Sequence, residues 1–263
     1  MTEFSELMQG LARDGASWTV TVNDDWLQGR TIYGGLAGAF CLEATLRQLA
    51  DLPPLRSAQF AFIGPATGGL RVTPTVLRRG KSTVFVAVDL HGDDGLATRA
   101  TFCFGAARAS KLGFDRLSRK LPNTPEACPS FFENAPPTLR FLAHIEGRLA
   151  GGNLPFSGSR EPTSSIWLRH RDPALMPSLV SLLALADAPP PAILTTVTVP
   201  GPISTMTWEV DMLTDRIATR DGWWLVETTS DTAADGYSSQ TMTVWNTDGR
   251  PVMANRQNVA AFI

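Results

Sequence analysis

The rhythm of apolar positions along the chain changes in the same way twice. From Gly34 the segment 34–50 is apolar on nearly every side at helical spacing, and the segment 173–186, from Pro173, reads the same way. A helix without a polar face has to be buried all round. Both runs end alike: Leu49-Ala50-Asp51-Leu52-Pro53-Pro54 recurs as Leu185-Ala186-Asp187-Ala188-Pro189-Pro190. Paired prolines, lacking an N–H, stop each helix there. Elsewhere the pattern shortens to the alternation of strands. Strands are predicted over 57–63, 70–79, 83–90 and 97–106 after the first helix, and over 203–210, 222–230, 238–246 and 251–262 after the second. One more precedes each helix, at 17–23 and 140–147. The last two strands of each set meet at Asp94-Gly95 and Asp248-Gly249. Asp-Gly favours a hairpin whose two central residues both take positive φ.

The chain therefore reads as a duplicated unit. Between Lys111 and Pro137 fall Pro122, Pro125, Pro129, Pro136 and Pro137 with no sustained periodicity, so 111–137 reads as a linker between arms 1–110 and 138–263. The second arm is longer by about 18 residues, placed in the stretch after Asp187. One long buried helix followed by strands, twice over, predicts an α+β fold. Each curled antiparallel sheet wraps a helix, and the two sheets join edge to edge to hide strands that would otherwise invite aggregation. A doubly wound α/β fold would need more helices between the strands.

Composition narrows the function. The 263 residues are 43% hydrophobic and carry a net charge of -2, with 23 Lys and Arg against 25 Asp and Glu, so a packed core is affordable and no basic excess exists to hold nucleic acid. Three cysteines (Cys41, Cys103, Cys128) make no disulfide framework, and with three isolated histidines (His91, His144, His170) they lack metal-ligand spacing. The N-terminal stretch has early acids and no continuous apolar run, which argues against a signal peptide; no apolar run is long enough for a membrane span. The expectation is a soluble, cytoplasmic protein without metal. No G-x-S-x-G elbow and no G-x-x-x-x-G-K-[ST] loop occurs, disfavouring α/β-hydrolase and P-loop chemistry.

Gln28-Gly29-Arg30-Thr31-Ile32-Tyr33-Gly34-Gly35-Leu36 at the first helix, with Asp248-Gly249-Arg250 and Ala254-Asn255-Arg256-Gln257 near the C-terminus, resembles the acyl-CoA thioesterase II-like family. The resemblance spans both arms. It implies a double-hotdog fold and cofactor-free hydrolysis of an acyl-CoA to free acid and CoA, in a homodimer or higher homo-oligomer. It also implies a catalytic set of an Asp at the end of the second hotdog helix, a Thr or Ser on the next strand and a Gln on the last strand. Asp187 and Gln257 match; the hydroxyl position falls on Pro202 or Ile203, beside Ser204 and Thr205, and is carried to Thr205 with Ser204 as alternate.

The residues fit that chemistry. A thioester carbonyl is already activated, so water polarised by a carboxylate attacks it directly. Asp187 at a helix C-terminus sits in an unfavourable dipole, which raises its pKa towards that of a useful base. Gln257 and a hydroxyl orient the water, and N–H groups of Gly34 and Gly35 at a helix start face the thioester oxygen or a CoA phosphate. Aligning the hairpins on their Asp-Gly turns places Cys103 where Gln257 stands, so one copy is apolar there and the other polar. Each site residue has a plainer reading as well: Asp187 and Asp51 as solvated helix ends, and the glycines as room for close packing. Glu43 reads as a surface carboxylate, Arg78-Arg79-Gly80-Lys81-Ser82 as a solvated turn with CoA's 3′-phosphate as alternative partner, and Trp223-Trp224 as one ring inward and one under the linker. The rival functions are a non-catalytic acyl-CoA-binding hotdog and, behind it, a hydratase or dehydratase.

Overall fold

The computed structural model describes residues 1–121 and 123–263, so Pro122 of the inter-arm segment lies outside the described residues. The first arm opens with helix α1 (Phe4–Gln9) and strands β1 (Ala12–Asp14), β2 (Ser17–Thr21), β3 (Leu27–Gln28) and β4 (Thr31–Ile32). Helix α2 (Gly34–Gln48) leads into β5 (Leu55–Phe62), β6 (Gly69–Arg79), β7 (Thr83–Gly92) and β8 (Gly95–Gly105). The second arm holds β9 (Ile145–Gly152), β10 (Thr163–His170), α3 (Leu179–Ala186), β11 (Ile203–Met212), β12 (Trp224–Ala234), β13 (Tyr237–Asn246) and β14 (Pro251–Ala261).

Apart from the small β3–β4 pair, the strands form a single 12-stranded antiparallel sheet, in the order β1-β2-β6-β7-β8-β5-β11-β14-β13-β12-β10-β9. This corrects the expectation of two sheets joined at their edges. Strands β5 and β11 pair in full register from Ala61↔Thr207 to Ser57↔Asp211, each satisfying the other's free N–H and C=O groups. Phe60 and Trp208 face each other across this seam and stack with centroids 5.0 Å apart. One continuous core takes in all three helices and the inward residues of both halves.

Helix α2 is buried from Gly35 to Thr45 apart from Glu43, as its lack of a polar face predicts, while its last turn is open to solvent at Leu46 and Arg47; Glu43 lies on its rim in an i,i+4 pair with Arg47 at 2.6 Å. Helix α3 is shorter than the sequence pattern. It starts at Leu179 because Pro177 cannot donate to a preceding turn and Ser178 caps the helix, accepting the Ser181 N–H at 3.1 Å. The strand expected over 140–147 is also corrected. Arg140–His144 forms a 3-10 turn and β9 begins at Ile145. Strand β10 and helix α1 have no counterpart in the pattern reading.

The extra length of the second arm is divided. Part lies in 187–202, which contains a 3-10 turn at Ala192–Thr195 and replaces the short 49–54 connection; part lies in 213–223. The inter-arm segment is not a free tether. It crosses the outer face of the second half, where Cys128 and Leu121 join Ala150, Trp167, Trp223, Leu225 and Trp245 in a small apolar cluster. Trp245 donates its indole N–H to the Leu117 carbonyl, and Trp167 to that of Asn123. Trp223 thus lies under this segment while Trp224 enters the main core.

Candidate active site

The C-cap of α3 and the first residue of α2 meet where the helices pack. Asp187 is the C-cap of α3, in αR conformation, and one carboxylate oxygen, Oδ2, sits over the start of α2. A Cβ on Gly34 would lie 2.8 Å from that oxygen and 3.3 Å from the Phe62 ring, so only glycine lets the carboxylate approach. A Cβ on Gly35 would strike the Ala184 carbonyl and come within 2.6 Å of the Tyr33 hydroxyl. That hydroxyl donates to the same Ala184 carbonyl, and the Tyr33 ring stacks on Phe141 at 4.1 Å. The glycines thus serve close approach.

The other carboxylate oxygen of Asp187, Oδ1, accepts a hydrogen bond from Gln257 Nε2 at 2.6 Å. Gln257 is buried, on the inner face of β14, opposite Trp208 of β11 and Gln240 of β13. Burial pushes the Asp187 carboxyl up to about 7, against the pull of the Gln257 amide and the Gly35 N–H, both of which favour the charged form. Burial, rather than the α3 dipole, is the dominant cause, and the Gly35 N–H that the sequence pattern offers to substrate is turned towards Asp187 instead. Gly34, the first residue of α2, has no intrahelical acceptor for its N–H. Burial and the nearby Asp187 charge together raise the Tyr33 phenol well above its ordinary value.

Two of the predicted site residues, Asp187 and Gln257, are therefore in direct contact, with Gly34 and Gly35 against the same carboxylate. The hydroxyls are placed differently. Thr205 is half-buried on β11, opposite Val259 and beside a register shift before Thr207. It shares the inner face with Gln257 but, among the described residues, is not a hydrogen-bond partner of Asp187 or Gln257. Ser204 is exposed, opposite Ala260.

Among the described residues the two copies of the repeat differ at this position. Asp51 is exposed, in the left-handed region at φ 58°, two residues beyond the α2 C-cap at Leu49, whereas Asp187 is itself the C-cap. The alignment of Cys103 with Gln257 is corrected: Cys103 is half-buried on the outer face and its neighbours Phe102 and Phe104 point into the core. The two Asp-Gly turns differ in length, and a one-residue slip moves a side chain to the other face. Neither turn has two positive-φ residues, since only Gly95 and Gly249 do; that conformation occurs at Asp221-Gly222 and Asp235-Gly236. The asymmetry itself stands, with a phenylalanine in the first half facing the way Gln257 does in the second.

Pattern reading missed Gln240, which is fully buried. Its signal was a polar residue on the inward side of an alternation that continues with Met242 and Val244. The histidines lie apart from Asp187. His170 Nε2 bonds the Ser181 carbonyl, with burial lowering its pKa to about 4, and His144 stacks on Trp26 beside Asp25. Among the described residues no cluster of His, Cys, Asp or Glu could hold a metal ion, and no helix is long and apolar enough to cross a membrane.

With this geometry in place, comparison with known proteins assigns the class. Residues 22–105 match the acyl-CoA thioesterase N-terminal domain and residues 125–261 the acyl-CoA thioesterase C-terminal domain. The chain belongs to the acyl-CoA thioesterase family. No curated protein sequence matches it. Among solved structures it is similar to a conserved hot dog-fold protein of Alicyclobacillus acidocaldarius, with TM-score 0.88, 24% identity and coverage of 99% of this chain and 98% of that one. It is also similar to the tesB protein of Mycobacterium avium subs paratuberculosis, with TM-score 0.79, 17% identity and coverage of 98% and 99%. The acyl-CoA thioesterase II TesB2 of Mycobacterium marinum gives TM-score 0.74, 17% identity and coverage of 97% and 96%. These likenesses establish the hotdog fold.

Proposed function

We propose that this protein hydrolyses an acyl-CoA thioester to the free acid and CoA, with Asp187 as the base that activates water. The observation that carries the reading is the half-buried carboxylate of Asp187, raised to about 7 and hydrogen-bonded at 2.6 Å by the Gln257 amide at the junction of two helix ends. A base with a pKa near the working pH combines a populated charged form with a useful proton affinity. Asp187 takes a proton from water as its oxygen bonds to the thioester carbon. The Gly34 N–H, without an intrahelical acceptor, stabilises the oxyanion that forms. When the tetrahedral intermediate collapses, the C–S bond breaks and the proton held by Asp187 passes to the departing CoA sulfur. Gln257 holds the carboxylate in place and has a second N–H for the water, while Thr205, on the same inner face, assists by orienting it.

The test is release of CoA from a panel running from acetyl-CoA to palmitoyl-CoA. Asp187→Asn and Gln257→Ala should each lower kcat/KM by about tenfold to a hundredfold or more, the scale of acid–base groups. Unchanged rates in both variants would remove the site assignment. Acyl-CoA binding without hydrolysis by the unmodified protein would instead favour the non-catalytic reading, which the absence of Thr205 from the hydrogen-bonded set supports.

A further inference from the structure

Gln240 stands behind Gln257, fully buried and directly opposite it in the β13–β14 register. Its Oε1 accepts the backbone N–H of Ala192 at 2.9 Å, and its Nε2 donates to Gln257 Oε1 at 2.7 Å. Gln257 Nε2 in turn donates to Asp187 Oδ1 at 2.6 Å. The direction of this chain is dictated from its far end. A backbone N–H can only donate, so Gln240 must present its oxygen to Ala192 and its NH2 to Gln257. Gln257 must then present its oxygen to Gln240 and its NH2 to Asp187. Without that anchor a side-chain amide is free to turn round and offer Asp187 an oxygen, which only a protonated carboxyl can meet. Ala192 belongs to the 3-10 turn within 187–202, the connection that is short in the first half, so the anchor comes from part of the second arm's extra length.

We propose that Gln240 is a positioning residue for the thioesterase reaction: tied to Ala192, it fixes the amide of Gln257 so that a donor always faces Asp187. This rests on the reading of Asp187 as the base. The groups packed around that carboxylate are Gly34 and Gly35 of α2, Phe62 of β5, Gln257 of β14 and, as the titratable neighbour, Tyr33.

The experiment compares the wild-type protein with Gln240→Leu and Gln240→Met. The Asp187 carboxyl is titrated by carbon-13 NMR, assigned by its loss in Asp187→Asn, and kcat and KM for octanoyl-CoA are followed against pH. Leucine removes the anchor. Methionine keeps roughly the shape of glutamine but has no N–H to donate to Gln257, and so leaves its amide free to turn round. Both should raise the carboxyl titration of Asp187 by about one pH unit, the scale of one hydrogen bond to a charged group. At pH 7 kcat should fall several-fold to about tenfold with KM little changed, and recover at pH 9. A structural role alone would lower the rate equally at every pH. An unmoved Asp187 titration in a folded Gln240 variant overturns the proposal, whatever the activity. A moved titration in a protein that hydrolyses no acyl-CoA upholds the positioning role and removes the thioesterase reading instead. Should Gln240→Leu not fold, the similarly shaped, uncharged Gln240→Met alone decides.

Discussion

Asp187 ties the stability of this protein to pH through one proton, the same proton that the proposed reaction moves. Its carboxyl titrates at about 7 in the folded chain against 3.8 ordinarily. Between those values the folded state binds the proton more tightly than the unfolded chain does, so stability falls as pH rises from about 4 to about 7 and is level above that. The charged form that the proposed base requires is therefore the less stable form. Two results are expected. The acid limb of kcat/KM against pH should lie near 7, with activity rising as Asp187 ionises. Asp187→Asn should be more thermostable than the wild type at pH 8, by roughly 3–8 °C, with the gain shrinking towards pH 4. Calorimetry across this range checks the second; an equal change at pH 4 and pH 8 would contradict the assignment. At this scale Gln257 was legible in the sequence because a polar residue inside an apolar strand needs a partner, whereas Asp187 was singled out only by the family resemblance, since the equivalent Asp51 lies in solvent after the other helix. Gln240 was not legible, since its role depends on a backbone N–H contributed by an irregular turn nearly 50 positions away.

At the level of elements, the start of α2 and the end of α3 are held together by what Gly35 lacks. A side chain there would collide with the Ala184 carbonyl and the Tyr33 hydroxyl, which are themselves hydrogen-bonded. Gly35→Ala should cost about 1–3 kcal/mol by overpacking and lower kcat as Asp187 shifts. Gly113, with open space around it, serves as the control, and Gly113→Ala should change neither the thermal midpoint nor turnover. Urea denaturation of the three proteins measures the difference. Helix α2 and the eight strands after the helices were predicted from periodicity alone, with small shifts at their ends. The strand expected over 140–147 was not, because apolar spacing over so few residues suits a 3-10 turn equally well. Strand β10 opens with Thr163-Ser164-Ser165, whose composition reads as loop and whose burial becomes visible only when β9 and β12 flank it.

For the molecule as a whole, the seam between β5 and β11 makes two similar halves into one cooperative body. The halves share a core, and Trp208 is fully buried where they join, stacked on Phe60 and donating to Asn255 at 3.0 Å. The wild type should unfold in one calorimetric transition whose calorimetric and van't Hoff enthalpies agree. Trp208→Ala should lower that transition by about 3–5 kcal/mol without splitting it, since the lost contacts belong to both halves. Two separate peaks would show halves that melt independently. The duplication, the two long buried helices, the alternating strands and the polar Gln257 that the first copy lacks all follow from the order of side chains, because periodicity and burial are local properties of the chain. Joining the strands into one sheet depended on partners distant in sequence finding a common register. The same long-range pairing turned Cys103 outward, brought Asp187 over Gly34 and gave Gln257 its fixed direction, because hydrogen-bond geometry and steric clearance exist only between atoms that folding has brought together.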